Sequence, residues 1–185
     1  MTSYNRLTQT SLTAIAALLI TGGAWAQSVH LKPPNSTPTF NDQGLTLNAA
    51  ASLAGLGNGD VLITLTATGN PTATCTNPSG KTQPPGQNPA AVTETGSEAI
   101  PASEIKNGTV TFHVTTSPPT SPIPGAPGCP NPQWTETITD VAFTSAVIEV
   151  QQSNETVLTV TCTFSPPTSN GLVPSGQVSC TSSSV

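Results

Sequence analysis

Four cysteines, two histidines and nine carboxylates are the side chains of this 185-residue sequence that could carry chemistry. The cysteines are Cys75, Cys129, Cys162 and Cys180. None belongs to a Cys-x-x-Cys pair and neither histidine stands near one, so the spacing of a zinc site is missing and no metal is expected. An even count in a chain bearing an export signal reads instead as two disulfides. Cys162 shares the phase of Leu158, Val160 and Phe164, and Cys180 shares that of Val178. The loop from Ser165 to Gly176 would bring both sulfurs inward on neighbouring strands, which pairs Cys162 with Cys180 and leaves Cys75 for Cys129. The crossed pairing stays open at this point.

A hydrolytic triad needs a histidine base. His113 falls on the solvent phase of a strand and His30 lies close to the mature amino terminus. There is no Gly-x-Ser-x-Gly elbow, and no catalytic residue is assigned. With cleavage after Ala26, His30 is the fourth residue rather than the third or first that amino-terminal copper sites use, so no copper is expected. Two carboxylates suffice for glycoside hydrolysis, but sugar sites are walled by aromatic rings, and Trp134 is the single tryptophan after the leader, with no tyrosine. The acids are expected at solvated strand ends and in loops. Asp42, Asn58, Asp60 and Asp140 could meet a calcium ion, yet no Asp-x-Asp loop is present and Asn58-Gly59-Asp60 reads as a turn. No cofactor is expected.

The positioning elements are short strands. Val61, Ile63, Leu65 and Ala67 alternate with Thr64, Thr66 and Thr68; Val110, Phe112 and Val114 with Thr111, His113 and Thr115; and Leu158 to Phe164 follows the same period. Within Val141 to Val150 the apolar phase changes, which predicts a bulge or a bend near Thr144-Ser145. Weaker strands are expected at Gly44 to Ala50, Thr72 to Cys75, Ala91 to Thr95, Thr135 to Ile138 and Gln177 to Cys180. Pro101 to Glu104 reads as a short helical turn and Asn107-Gly108 as a tight turn. The proline-rich segments Asn77 to Pro89 and Ser117 to Pro132 read as loops or edge coverings. About eight short strands at this spacing predict an all-β, two-sheet antiparallel sandwich of immunoglobulin-like pattern with two disulfides. It occupies residues 44–185, with 27–43 as an extension or edge strand.

Residues 1–26 read as a secretory leader: Arg6 in a polar lead, an apolar run from Leu12 to Ile20, Gly22-Gly23, then Ala24-Trp25-Ala26. Its removal leaves 159 residues with three lysines against nine acids, near −6, which disfavours nucleic acid and anionic membrane as partners. No later run reaches the length of a membrane span. Asn35, Asn107 and Asn154 begin Asn-x-Ser/Thr triplets.

The run Cys129-Pro-Asn-Pro132-Gln-Trp134, with Ile138-Thr-Asp140, Phe143-Thr, Val147-Ile-Glu-Val150 and Val157-Leu-Thr-Val160-Thr-Cys162-Thr-Phe164, resembles a group of uncharacterised exported bacterial proteins. That resemblance implies a disulfide-stapled, Thr/Pro-rich sandwich and brings no activity or ligand. The expectation is a secreted, non-enzymatic binding, adhesion or matrix component with an envelope or extracellular partner. Pro130, Asn131, Pro132 and Trp134 form its candidate binding loop, unless Trp134 packs in the core. The alternatives are a small carboxylate hydrolase and a subunit that self-associates by strand addition, for which Ser28 to Thr39 is the segment to follow.

Overall fold

The computed structural model describes residues 28–33, 37–83 and 89–184, so the expected leader lies outside the described residues. Ten strands are present among these: β1 (His30–Leu31), β2 (Thr39–Asp42), β3 (Leu47–Ala54), β4 (Val61–Thr76), β5 (Val92–Ile100), β6 (Val110–Thr115), β7 (Thr135–Gln152), β8 (Glu155–Phe164), β9 (Gly171–Leu172) and β10 (Val178–Ser184). They form two antiparallel sheets of five. In sheet A, β3 is central. β6 runs along one side of it, β1 and β2 lie end to end along the other, and β9 borders β2. Sheet B has the order β10-β8-β7-β4-β5. A five-plus-five arrangement differs from the four-plus-three of a constant immunoglobulin domain, so the likeness stays at the level of the sandwich.

The period-two pattern of β4 is the sequence feature that the fold follows most closely. Val61, Ile63, Leu65, Ala67, Gly69, Pro71, Ala73 and Cys75 all point into the core. The sequence reading has one strand reaching Thr68 and another beginning at Thr72, but a single strand runs through Gly69-Asn70-Pro71. The ladder with β5 stops at Gly69, so β4 is an edge beyond that point and tolerates a proline without an amide. β7 likewise joins two expected strands. It does so with two bulges, one leaving Thr144 unpaired opposite Thr68/Gly69, where a bulge was expected, and one leaving Thr139 unpaired opposite Thr72/Ala73. Each extra residue resets the phase, so that Ile138, then Val141 and Phe143, then Ala146, Ile148 and Val150 all stay buried. Gly69 fits the first bulge because a side chain there would press on the Ala142 carbonyl, 2.9 Å away.

The interior is aliphatic apart from Phe40, Phe112, Phe143 and Phe164, all buried. Phe40 of β2 meets Phe164 of β8 edge-on at 5.0 Å and ties the sheets together. The expected extension 27–43 holds β1 as a two-residue edge and β2 as an interior strand of sheet A. Val29 and Leu31 are buried, so the first part of Ser28 to Thr39, the stretch to follow for strand addition, is docked on its own sheet, while residues 34–36 lie outside the described residues. The expected turn appears as a single 3₁₀ turn at Ala102–Glu104, and Asn107 and Gly108 take positive φ values of 52° and 70° as a two-residue turn requires.

Both disulfides have the expected partners, and no cysteine is free. Cys162 and Cys180 are directly opposed on β8 and β10, their Cα atoms 4.1 Å apart. Cys75, near the end of β4, holds Cys129 of the proline loop at a Cα distance of 5.7 Å. One long side of the sandwich is closed by β5 against β6. The Ser117 amide bonds the Thr95 carbonyl at 3.0 Å, and Gly96 lies directly on Thr115.

Two predictions follow from this packing. Gly96→Ala would drive a methyl into the Thr115 backbone and should cost about 3 kcal/mol or more in urea unfolding, while Gly176→Ala, with open space around it, should stay within about 0.5 kcal/mol. In the chain-entropy picture Cys75→Ala/Cys129→Ala, closing 54 residues, should cost about 4 kcal/mol, and Cys162→Ala/Cys180→Ala, closing 18, about 3 kcal/mol. Equal midpoints for the two double variants and the parent would contradict a stapled fold.

Candidate functional site

Asp60, Glu104 and Glu155 are exposed as expected, but three other carboxylates are not where the sequence reading put them. Asp42, Glu94 and Glu136 are buried, with Glu136 fully enclosed. The reason lies in the strands that carry them. β5 presents Glu94, Gly96 and Glu98 on its inner side, where the β6 edge arrives. Glu94 accepts a hydrogen bond from the Thr116 hydroxyl at 3.1 Å, and that hydroxyl accepts one from the Leu47 amide at 3.0 Å. Glu98 accepts one from the His113 amide at 2.8 Å. The two acids therefore stitch sheet B to sheet A across the closed side. Asp42, ending β2, accepts from the Gly44 amide at 2.9 Å and from the Thr168 hydroxyl, which itself accepts from the Phe143 amide. Glu136 accepts from the Gly128 amide at 2.9 Å, and its backbone carbonyl accepts from the Ile123 amide at 2.7 Å, which pins the proline loop beside the Cys75–Cys129 bridge.

Burial shapes the acidity of this cluster. Desolvation raises the Glu94 carboxyl from 4.5 to about 7, opposed by the Thr116 hydroxyl and assisted by the charge of Asp42. Asp42 is raised by burial too, against the bonds from Thr168 and Gly44, with Asp140 adding to the rise. Asp140 thus lies near Asp42, whereas Asp60, at the other end of β4, caps Ala102 and Asn58 is exposed. The four residues considered for calcium are not gathered. No cluster of three or more metal-ligating side chains occurs among the described residues.

The outer face of sheet B carries a pattern that the individual strands only hint at. The registers align three rows across all five strands: Ser179, Thr163, Ser145, Thr68 and Thr93; then Thr181, Thr161, Val147, Thr66 and Thr95; then Ser183, Thr159, Glu149, Thr64 and Ser97. Thirteen of these fifteen positions bear a hydroxyl, and none is buried. Rows lie about 6.8 Å apart and neighbours within a row about 4.8 Å. Glu149 is the single charge in the array. Bonds from the Gln151 amide group and the Thr156 hydroxyl hold its carboxyl below the ordinary range.

The segment expected as a binding loop forms a hydrogen-bonded turn. Pro130 to Gln133 are exposed, Asn131 accepts from the Gln133 amide through its side chain and from the Trp134 amide through its carbonyl, and Trp134 is half-buried at the loop's end. Trp134 is not part of the buried core. His30 and His113 are both exposed, and they lie on β1 and β6.

Three surface depressions of about 380, 300 and 240 Å³ are lined chiefly by Lys32, Ser52 and Thr111 on sheet A and by Asp60, Leu62 and Asn154 at one end of sheet B. None of them is lined by Asp42, Glu94, Asp140 or Trp134. No helix among the described residues is long and apolar enough to cross a membrane. Comparison with protein-family models, curated proteins and solved structures finds no match to this chain.

Sequence reasoning missed the inward acids. Their signal was available in Glu94-x-Gly96-x-Glu98, which at period two puts both acids and the glycine on one side of a strand. The hydroxyl rows depend on register between strands distant in sequence, for which a single strand gives no signal.

The weakened acidity of Glu94 sets a stability profile. Between about pH 4.5 and pH 7 the folded state keeps a proton that the unfolded chain has released, so stability falls as pH rises through that window and levels off above about 7. The full drop is at most on the order of 3 kcal/mol. Urea midpoints from pH 4 to 8 should show this decline, and Glu94→Gln, which keeps an acceptor for Thr116, should flatten most of it. An unchanged slope in the variant would remove Glu94 as the cause.

Proposed function

We propose that this chain is an exported, non-enzymatic β-sandwich that works outside the cytoplasm as a binding or matrix component. Its contact surface in this reading is the hydroxyl face of sheet B. The observation that carries the reading is the alignment of three Ser/Thr rows across five strands, on a scaffold fixed by two disulfides. Two such bonds and no membrane-spanning helix among the described residues suit an extracellular or periplasmic protein.

The chemistry of that face selects its ligand class. It carries one charge, so polyanions and polycations gain little from it, and it lacks the aromatic wall that grips a single sugar ring. What it offers is repetition: many hydroxyls at fixed spacing, each net hydrogen bond contributing about 1 kcal/mol or less, summed over a ligand that is itself periodic. An extended neutral polyhydroxyl polymer, such as a packed glycan chain, meets that description. The β-branched threonines are already restricted in rotamer by the strand, which lowers the entropic cost of contact. The carboxylate-hydrolase alternative is weaker, because the acids that approach each other are bonded inside the sandwich rather than facing a depression.

A sedimentation assay tests the proposal with cellulose, chitin and cell-wall sacculi as insoluble probes. The purified protein should be retained by at least one of them, and Thr66→Glu/Thr161→Glu, which plants charge on either side of Val147, should weaken retention at least about tenfold while the fold is kept. Protein left in the supernatant with all three probes, or equal retention of the variant, would refute the assignment.

A further inference from the structure

The sheet edges of the sandwich are unequal. The outer side of β5 is met by Thr115 to Ser117, and β1 and β9 are two residues each. β10 is seven residues long, pairs with β8 along its whole length without a register shift, and has no strand on its other side among the described residues. Sheet edges are ordinarily spoiled by a lysine, a proline or a bulge. Val178–Ser184 contains no lysine, no proline and no charge.

The free groups of this edge can be assigned. The 4.1 Å Cα separation of Cys162 and Cys180 marks a non-hydrogen-bonded antiparallel pair. Ser179, Thr181 and Ser183 therefore exchange their backbone bonds with β8. The amides and carbonyls of Val178, Cys180, Ser182 and Ser184 point away from the sheet.

We propose that β10 pairs with β10 of a second copy of this chain, antiparallel, about a two-fold axis at Thr181. This register sets Val178 against the partner copy's Ser184 and Cys180 against its Ser182, so all four outward-facing residues of each copy find a bonding partner. Moving the axis to Cys180 or Ser182 strands one of them. An uncharged strand meets its own copy without repulsion, and on the outer face the rows continue, with hydroxyl opposite hydroxyl at the Thr181 pair. The Cys162–Cys180 bridge holds the strand in register before it pairs, which lowers the ordering cost of association. A contact one strand wide belongs to the weak class of interfaces, with Kd between about 1 μM and 1 mM, reached where copies are crowded. This goes beyond the proposed function, since the mass in solution changes whether or not any polymer is bound.

Sedimentation equilibrium on the purified full chain provides the test. The parent should dimerise with concentration. Thr181→Lys and Thr181→Glu each place like charges against each other on the axis and should each weaken the dimer at least about tenfold, while an equal mixture of the two should recover association to near the parental level. Circular dichroism and absence of free thiol confirm that the variants fold. A parent that stays monomeric to about 1 mM, as expected if β10 serves a foreign extended peptide instead, overturns the proposal. So does a Thr181→Lys variant that dimerises like the parent, or a mixture no better than its components.

Discussion

Every residue of β4 is paired with β7, and this sixteen-pair ladder is the constraint on which the rest of the molecule depends. β5 attaches to its first nine residues, β8 to the matching half of β7, and β10 to β8. The far half, from Asn70 to Thr76, carries no further strand and serves as the anchor for the Cys75–Cys129 bridge and the proline loop. A ladder of this length twists, and the unpaired Thr139 and Thr144 let β7 follow β4 without rotating its apolar residues out of the core. The core contact between Phe40 and Phe164, the hydroxyl rows and the β10 edge all inherit their positions from it.

The buried acids are the counterpart of a chain with few cations. With three lysines after residue 26, most carboxylates have no cation to meet, and those the strands turn inward accept from backbone amides and threonine hydroxyls instead, with one buried oxygen each of Glu94 and Glu136 left without a partner. Such donors stabilise a carboxylate less than a guanidinium does, which is why desolvation prevails at Glu94 and Asp42 and both become weaker acids. In return, each acid bonds segments remote in sequence: Glu94 joins β5 to the end of β6 and through Thr116 to β3, Asp42 joins β2 to the Thr168 loop, and Glu136 joins β7 to Gly128. They fasten the ends and sides of the sandwich where the aliphatic core thins out.

The legible and illegible parts of the fold divide by range. Alternation within one strand showed the inward faces of β4, β6 and β8, and the shared phase of Cys162 and Cys180 favoured the pairing that the structure has without excluding the crossed one, because both properties belong to the local backbone. Gly69-Asn70-Pro71 misled, since punctuation that ends an interior strand is harmless on one that has lost its neighbour. β1 and β9 were invisible because two residues carry no period and exist as strands only by bonding to β3 and β2. Trp134 was expected in the core or free on a loop and sits between the two, half-buried at the end of a turn fixed by Asn131. The buried acids were misplaced by treating charge as a mark of solvent exposure, when the period of β5 buries Glu94 and turns Glu98 to the same side.

A surface built from hydroxyls instead of charges has two physical consequences that pull together. Threonine and serine keep the strands solvated without long charged side chains, so the outer face of sheet B stays even, its hydroxyls set by the backbone rather than by flexible stems. The same economy of charge leaves β10 without the lysine or proline that would keep another strand away. Placing a charge on that edge would protect the monomer but interrupt a row of hydroxyls at Ser179, Thr181 or Ser183, since the residues that face outward on the last strand are also the last members of the rows. The evenness of the face and the openness of the edge are therefore one property of the sequence. A polymer laid along the rows would meet, at β10, the strand through which a second copy extends them.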